Sequence, residues 1–191
     1  EHHHAVLYAV GAPNDRRLDI HGMDLPGTGT ATEMVAWING HPEFTDLPVD
    51  LSHERVVIVG NGNVAFDVAR ILTSDPDALA RTDISDHALA ALRSSAVQEV
   101  VIAARHGPAS SAFTLPELIG LTSTCDVVLA EADHELVGRD LAALPAAPHR
   151  RGETDLLTRN KLEILAKLGD ASAPITRPRI RLAYQLTPRR V

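Results

Sequence analysis

Hydrophobic positions along this chain fall into two kinds of run. Short apolar stretches bounded by turn residues, at Ala5–Val10, Arg55–Val59, Glu99–Ala103 and Val127–Leu129, have the length and β-branched character of strands. Between them, apolar residues recur at three- and four-residue spacing. Val64, Val68, Ile71 and Leu72 place one face of a helix over Asn63–Leu72. The same signals predict a helix from Thr30 or Thr32 through Trp37, and a short one at Asp75-Pro76-Asp77. Others are predicted over Asp86–Leu92, from Thr114-Leu115-Pro116-Glu117 onward, over Asp133–Leu144 and over Asp155–Leu168. Arg179–Leu186 alternates basic with apolar residues, the pattern of an edge strand.

Loops separate these segments. Ile20–Gly29 holds Gly22, Gly27, Gly29 and Pro26; Pro42 and Pro48 mark residues 41–54 as a surface crossing. Pro145, Pro148 and Gly152 predict a mobile loop over 145–155. No internal repeat is present. Strands alternating with helices, the strands unbroken by polar positions, predict an α/β fold: a Rossmann-like open parallel sheet with helices on both faces.

Composition narrows the function. The 191 residues are 45% hydrophobic and 23% charged, as in a globular domain. A net charge of −7 argues against a nucleic-acid footprint. No apolar run reaches the roughly 20 residues of a membrane helix. Cys125 stands alone, which excludes an internal disulfide and fits a cytoplasmic location. Nearly all basic residues are Arg, with only Lys161 and Lys167 as exceptions. The ten His show no metal-ligand spacing, and nothing beside Cys125 marks it as a nucleophile. A start at Glu1 without initiator Met or signal-like segment, and an end at Arg189-Arg190-Val191, read as an excised piece of a longer protein.

The most specific chemistry lies at Gly60-Asn61-Gly62-Asn63-Val64-Ala65, directly after one apolar run and opening the amphipathic helix. In a G-x-G-x-x-A turn the first glycine allows a sharp bend off the strand. The second leaves room for a pyrophosphate against the backbone, and the small third residue lets helix and strand pack. The helix start then points free N–H groups and the positive end of its dipole at the phosphates. Asp67 precedes Arg70 by three positions and is expected to pair with it along the helix.

The next strand decides which dinucleotide. An NAD site carries an acid there for the ribose 2′-hydroxyl, but this strand ends in Ala103-Ala104-Arg105-His106-Gly107. Arg105 can hold a 2′-phosphate through its fork of donors, and His106 can add charge when protonated, so NADPH is favoured. The spacing is unusual. Arg105 stands 45 positions after Gly60, against about 20 in the usual fingerprint, the excess being the helical stretch Asp75–Ser94.

Several ordered motifs carry a family resemblance. The segment GNGNVAFDVARIL from Gly60 to Leu72 closely resembles that of adrenodoxin reductase-like ferredoxin–NADP reductases. Arg81-Thr82-Asp83-Ile84, Arg105-His106-Gly107-Pro108, Ala112-Phe113-Thr114 and Glu117-Leu118 match that family too, as do Tyr8–Ala12 and Leu25-Pro26-Gly27. The resemblance runs from about residue 4 to 125. It implies a flavoenzyme passing hydride between NADPH and FAD, and single electrons to or from ferredoxin. It further implies that residues 1–12 form a strand leaving an FAD domain, and that 13–191 form an NADPH-binding domain inserted in it. Asn61, Gly62, Asn63 and Val64 would hold the pyrophosphate, with Gly60 shaping the turn. Arg105 and His106 would face the 2′-phosphate, and Glu117 the nicotinamide half. Thr114-x-x-Glu117 also fits a capping box, an equally good account of the acid.

Three positions depart from the pattern: His106 where the family has a second arginine, Phe66 where it has leucine and His21 where it has proline. No FAD fingerprint is found, so the piece would bind NADPH without accepting its hydride. Two alternatives stand beside this reading. One is an electron-input subunit like that of glutamate synthase, expected to lack the Asp75–Ser94 stretch. The other is a module that senses NADP without turnover.

Overall fold

The computed structural model describes residues 4–7, 15, 18–144 and 152–191. Helix α1 (Ala31–Ile38) is opened by Thr30, whose hydroxyl accepts from the Glu33 backbone while Glu33 reaches back to the Thr30 N–H, a full capping box. Then follow β1 (Arg55–Val59), α2 (Asn63–Thr73), α3 (Pro76–Leu79), α4 (Asp86–Arg93) and β2 (Glu99–Ala103). The chain continues through α5 (Leu115–Thr124), β3 (Asp126–Leu129), α6 (Glu131–Ala143), α7 (Gly152–Leu165), β4 (Gly169–Asp170) and β5 (Arg179–Ala183).

All five strands are parallel, in the order β1-β2-β5-β3-β4. This is the α/β sheet that the alternating runs predict. On one face Val100, Ile102, Ile180, Leu182, Val127 and Leu129 join a single core with Phe66, Val68 and Leu72 of α2, Leu118 and Leu121 of α5, and Leu162 and Leu165 of α7. The steps from β1 to β2, β2 to β3 and β3 to β4 all run the same way across the sheet. Right-handed crossovers therefore deliver their helices to the same side.

Cover on both faces holds for β2, all five of whose residues are buried, but not for β1. Val57 and Val59 are 59% and 45% exposed, because β1 is the sheet edge and its helix α2 covers only the Val56–Ile58 side.

The segment Arg179–Ala183 overturns its edge reading, since it lies at the centre between β2 and β3. Its charges are tolerated there because the register sets Arg55, Glu99, Arg179 and Asp126 in one row of alternating sign across four strands. Arg179, buried, donates to Glu99 Oε1 from Nε at 3.0 Å and from a terminal nitrogen at 2.8 Å, and its remaining donors reach Ala171 O and Ala173 O. Burial pushes the Glu99 carboxyl up, but the Arg179 hydrogen bonds and the charges of Arg181, Arg179 and Arg55 outweigh it and hold it below its ordinary value.

The stretch Asp75–Ser94 forms α3 and α4; Ala88 of α4 joins Trp37 and Ile38 of α1 in a second small core, while Leu79 of α3 belongs to the main one. Of the expected strand Ala5–Val10, residues 5–7 belong to no strand, with Val6 72% and Leu7 91% exposed; 8–10 lie outside the described residues. Residues 145–151 of the expected loop also lie outside them.

Candidate dinucleotide site

β1 ends at the glycine turn. Gly60 adopts φ +109°, a conformation that penalises any side chain, and its N–H donates to Ala103 O at 2.8 Å. Gly62 is the N-cap of α2 at φ −81° and ψ 177°, backbone that every residue accepts. A Cβ there would meet nothing within 4 Å. Neither strain nor packing within the described protein therefore requires glycine at 62. No acceptor is recorded among the described residues for the N–H groups of Asn61, Gly62, Asn63, Val64 or Ala65. Five consecutive donors at a helix start, with open space before them, suit an anion.

The side chains of Asn61 and Asn63 turn away to another task. Asn61 Oδ1 accepts from Ala112 N at 3.4 Å and Asn63 Oδ1 from Thr114 N at 2.9 Å, binding the segment before α5 to the turn. Val64 is 52% exposed on the opening turn of α2. The capping box expected at Thr114 does not form: Thr114 is the N-cap of α5 but its side chain makes no capping bond. Its N–H is already drawn to Asn63, and Glu117 instead lies half-buried in a shallow groove with Phe66, Asp67, Arg70 and Gly120. The Asp67–Arg70 pair forms at 2.9 Å between exposed side chains.

Strand register brings the second half of the site into place. Val59 pairs with Ala103, so Arg105 and His106 emerge beside the glycine turn despite their separation in sequence. Both are exposed, and no ion pair or side-chain hydrogen bond is recorded for either among the described residues. The chain then makes a tight turn over Pro108–Ser110, fastened by Ala109 N donating to Asp140 Oδ2 at 2.9 Å. Sequence reasoning missed Asp140, and an acid amid a helix offers no local sign of such a contact.

It also missed a polar cluster under the strand ends. Asp133 Oδ1 accepts from Tyr184 N at 2.9 Å, and burial raises the Asp133 carboxyl above its ordinary value. Burial likewise pushes the Tyr184 phenol far up, with Ser111 as its hydroxyl partner. Lys161 of α7 donates to Ser111 O at 3.0 Å and Phe113 O at 3.3 Å. The scarcity of lysine in this arginine-rich chain was a signal available beforehand.

The parallel sheet and the turn of bare amides at its C-terminal edge define a Rossmann-like α/β domain. No family model matches the chain. It is 72% identical over 193 residues to a protein of Mycobacterium tuberculosis named "Probable ferredoxin/ferredoxin--NADP reductase", covering 100% of this chain and 32% of that protein. It is 51% identical over 116 residues to the mitochondrial NADPH:adrenodoxin oxidoreductase of Bos taurus, covering 61% of this chain and 24% of that one. Among solved structures it superposes on Mycobacterium tuberculosis FprA in complex with NADPH with TM-score 0.83 and 42% identity, over 96% of this chain and 39% of that one. Over its whole length the chain thus resembles about one third of the length of the ferredoxin–NADP reductases these relatives represent.

Proposed function

We propose that this chain is the NADPH-binding part of a ferredoxin–NADP reductase, with residues 13–191 forming that part and residues 1–12 leading from a flavin domain. The observation that carries the reading is the run Asn61 to Ala65, whose N–H groups have no recorded acceptor among the described residues, beside space that a Cβ at Gly62 would enter. The relatives' names and the NADPH-bound FprA structure support it.

In this reading the backbone of Asn61, Gly62, Asn63 and Val64 binds the pyrophosphate, and the α2 dipole favours its charge. Gly60 supplies the bend. Arg105 grips the 2′-phosphate through its guanidinium fork, with His106 adding charge when protonated. Glu117, near the start of α5, faces the nicotinamide half. NADPH supplies a hydride when bound; the residues of this chain hold and orient it. FAD belongs to the remaining length of the protein, and ferredoxin or a similar iron–sulfur carrier is the partner. The single cysteine and the absence of any described helix long and apolar enough to cross a membrane fit a cytoplasmic place.

Calorimetry with NADPH and NADH tests the reading. Arg105→Ala is expected to weaken NADPH binding by about 10-fold or more, since a charge-assisted contact contributes about 1.5–3 kcal/mol. NADH binding should hardly change. Equal losses for both cofactors would show that Arg105 does not read the extra phosphate.

A further inference from the structure

Residues 111–114, bent at Phe113, are held by hydrogen bonds from two sides. On one side, Lys161 Nζ takes the carbonyls of Ser111 and Phe113. On the other, the N–H groups of Ala112 and Thr114 go to Asn61 Oδ1 and Asn63 Oδ1. The carbonyls of 111 and 113 go to Lys161 and the N–H groups of 112 and 114 to the two asparagines, so the two sets hold one segment between them. Phe113, fully buried, pins the segment by stacking on Phe66 of α2 at 4.5 Å, and the Lys161 ammonium lies 5.3 Å from its ring centroid.

We propose that Lys161 is a positioning residue for dinucleotide binding, acting through residues 111–114 to keep the Asn61 and Asn63 side chains away from the amides of the glycine turn. Asparagine side chains readily bond the backbone N–H two residues on. Released from that segment, Asn61 Oδ1 would turn to the N–H of Asn63 and Asn63 Oδ1 to that of Ala65. Those are two of the five donors left bare for an anion. The segment occupies both carbonyl oxygens and so keeps the turn open. Burial lowers the pKa of Lys161, a desolvation cost that a lysine on the surface would not bear.

The inference rests on the reading of the turn as a pyrophosphate seat, and the experiment separates the two. Lys161→Met keeps the aliphatic stem and removes the donor; Lys161→Arg keeps donors and charge. Affinity is measured by calorimetry for NADPH, inorganic pyrophosphate and 2′-AMP, with circular dichroism confirming the fold. Lys161→Met is expected to weaken NADPH and pyrophosphate by about 10-fold, the loss of roughly one hydrogen bond to a charged group. 2′-AMP, which needs only Arg105 and His106, should bind as before, and Lys161→Arg should restore the loss. Hydrogen exchange at Asn63 and Ala65 should slow in Lys161→Met as their amides become capped. If Lys161→Met does not fold, Lys161→Leu, which likewise has no donor, carries the same expectation. Unchanged pyrophosphate affinity in a folded variant, or equal loss for pyrophosphate and 2′-AMP, would overturn the role of Lys161. Failure of the unaltered protein to bind NADPH or pyrophosphate would overturn the site itself.

Discussion

Gly62→Asp sets the fold and the proposed ligand against each other. The backbone at Gly62 is open to any residue, a Cβ there meets nothing within 4 Å, and α2 has no side-chain cap. An introduced carboxylate can accept from the N–H groups of Val64 or Ala65 and sits at the positive end of the helix dipole. Replacing a glycine cap contributes a few tenths of a kcal/mol, and the dipole about 0.3–1 kcal/mol. Stability should rise by roughly 0.5–1 kcal/mol, moving Tm up by about 1–4 °C in a chain of this size. For NADPH the sign reverses. A carboxylate about 4 Å from a phosphate near a protein surface costs on the order of 4 kcal/mol, and it also occupies the amides the phosphate needs. Affinity should fall by about a thousandfold. Differential scanning fluorimetry and calorimetry on the same samples read both quantities. A protein that melts normally and keeps NADPH affinity within about threefold would refute the assignment of this turn to the pyrophosphate. A drop in Tm would show that the space beside Gly62 is not open.

Two further outcomes concern buried carboxylates. Glu99→Ala leaves Arg179 buried without its carboxylate and should cost about 3–5 kcal/mol in urea unfolding; a loss under 1 kcal/mol would show the row to be dispensable. Because the Glu99 pKa is lowered in the fold, its stabilisation is present above the ordinary carboxylate value and fades as pH falls through the lowered one, so the variant should lack that acid limb. Asp133 has the opposite sign. Its raised pKa means the native state holds the proton more tightly, and stability drains as pH climbs from the ordinary value through the raised one. Asp133→Asn should therefore gain stability over the original at neutral pH and not near pH 3; a gap independent of pH would dismiss the reasoning.

By itself the sequence determined what contiguous residues decide. Apolar period and flanking turn chemistry placed β1, β2, β3 and the helices within a residue or two, save α7 (Gly152–Leu165), expected three residues later at each end, because burial on one face depends on spacing along the chain. The bend at Gly60 and the bare start of α2 were legible for the same reason, since both are properties of a few successive residues. The tertiary structure decided which strands adjoin. Arg179–Ala183 reads locally as a solvated edge, and becomes the centre of the sheet only because Glu99, 80 positions away, neutralises Arg179. Likewise Arg105 reaches the glycine turn by pairing of β1 with β2, with the intervening α4 set aside against α1. The hydrogen-bonded link from Lys161 through residues 111–114 to Asn61 and Asn63 is equally invisible in sequence. Parallel strands are joined by crossovers long enough for many arrangements, and only the closing of a shared core selects one.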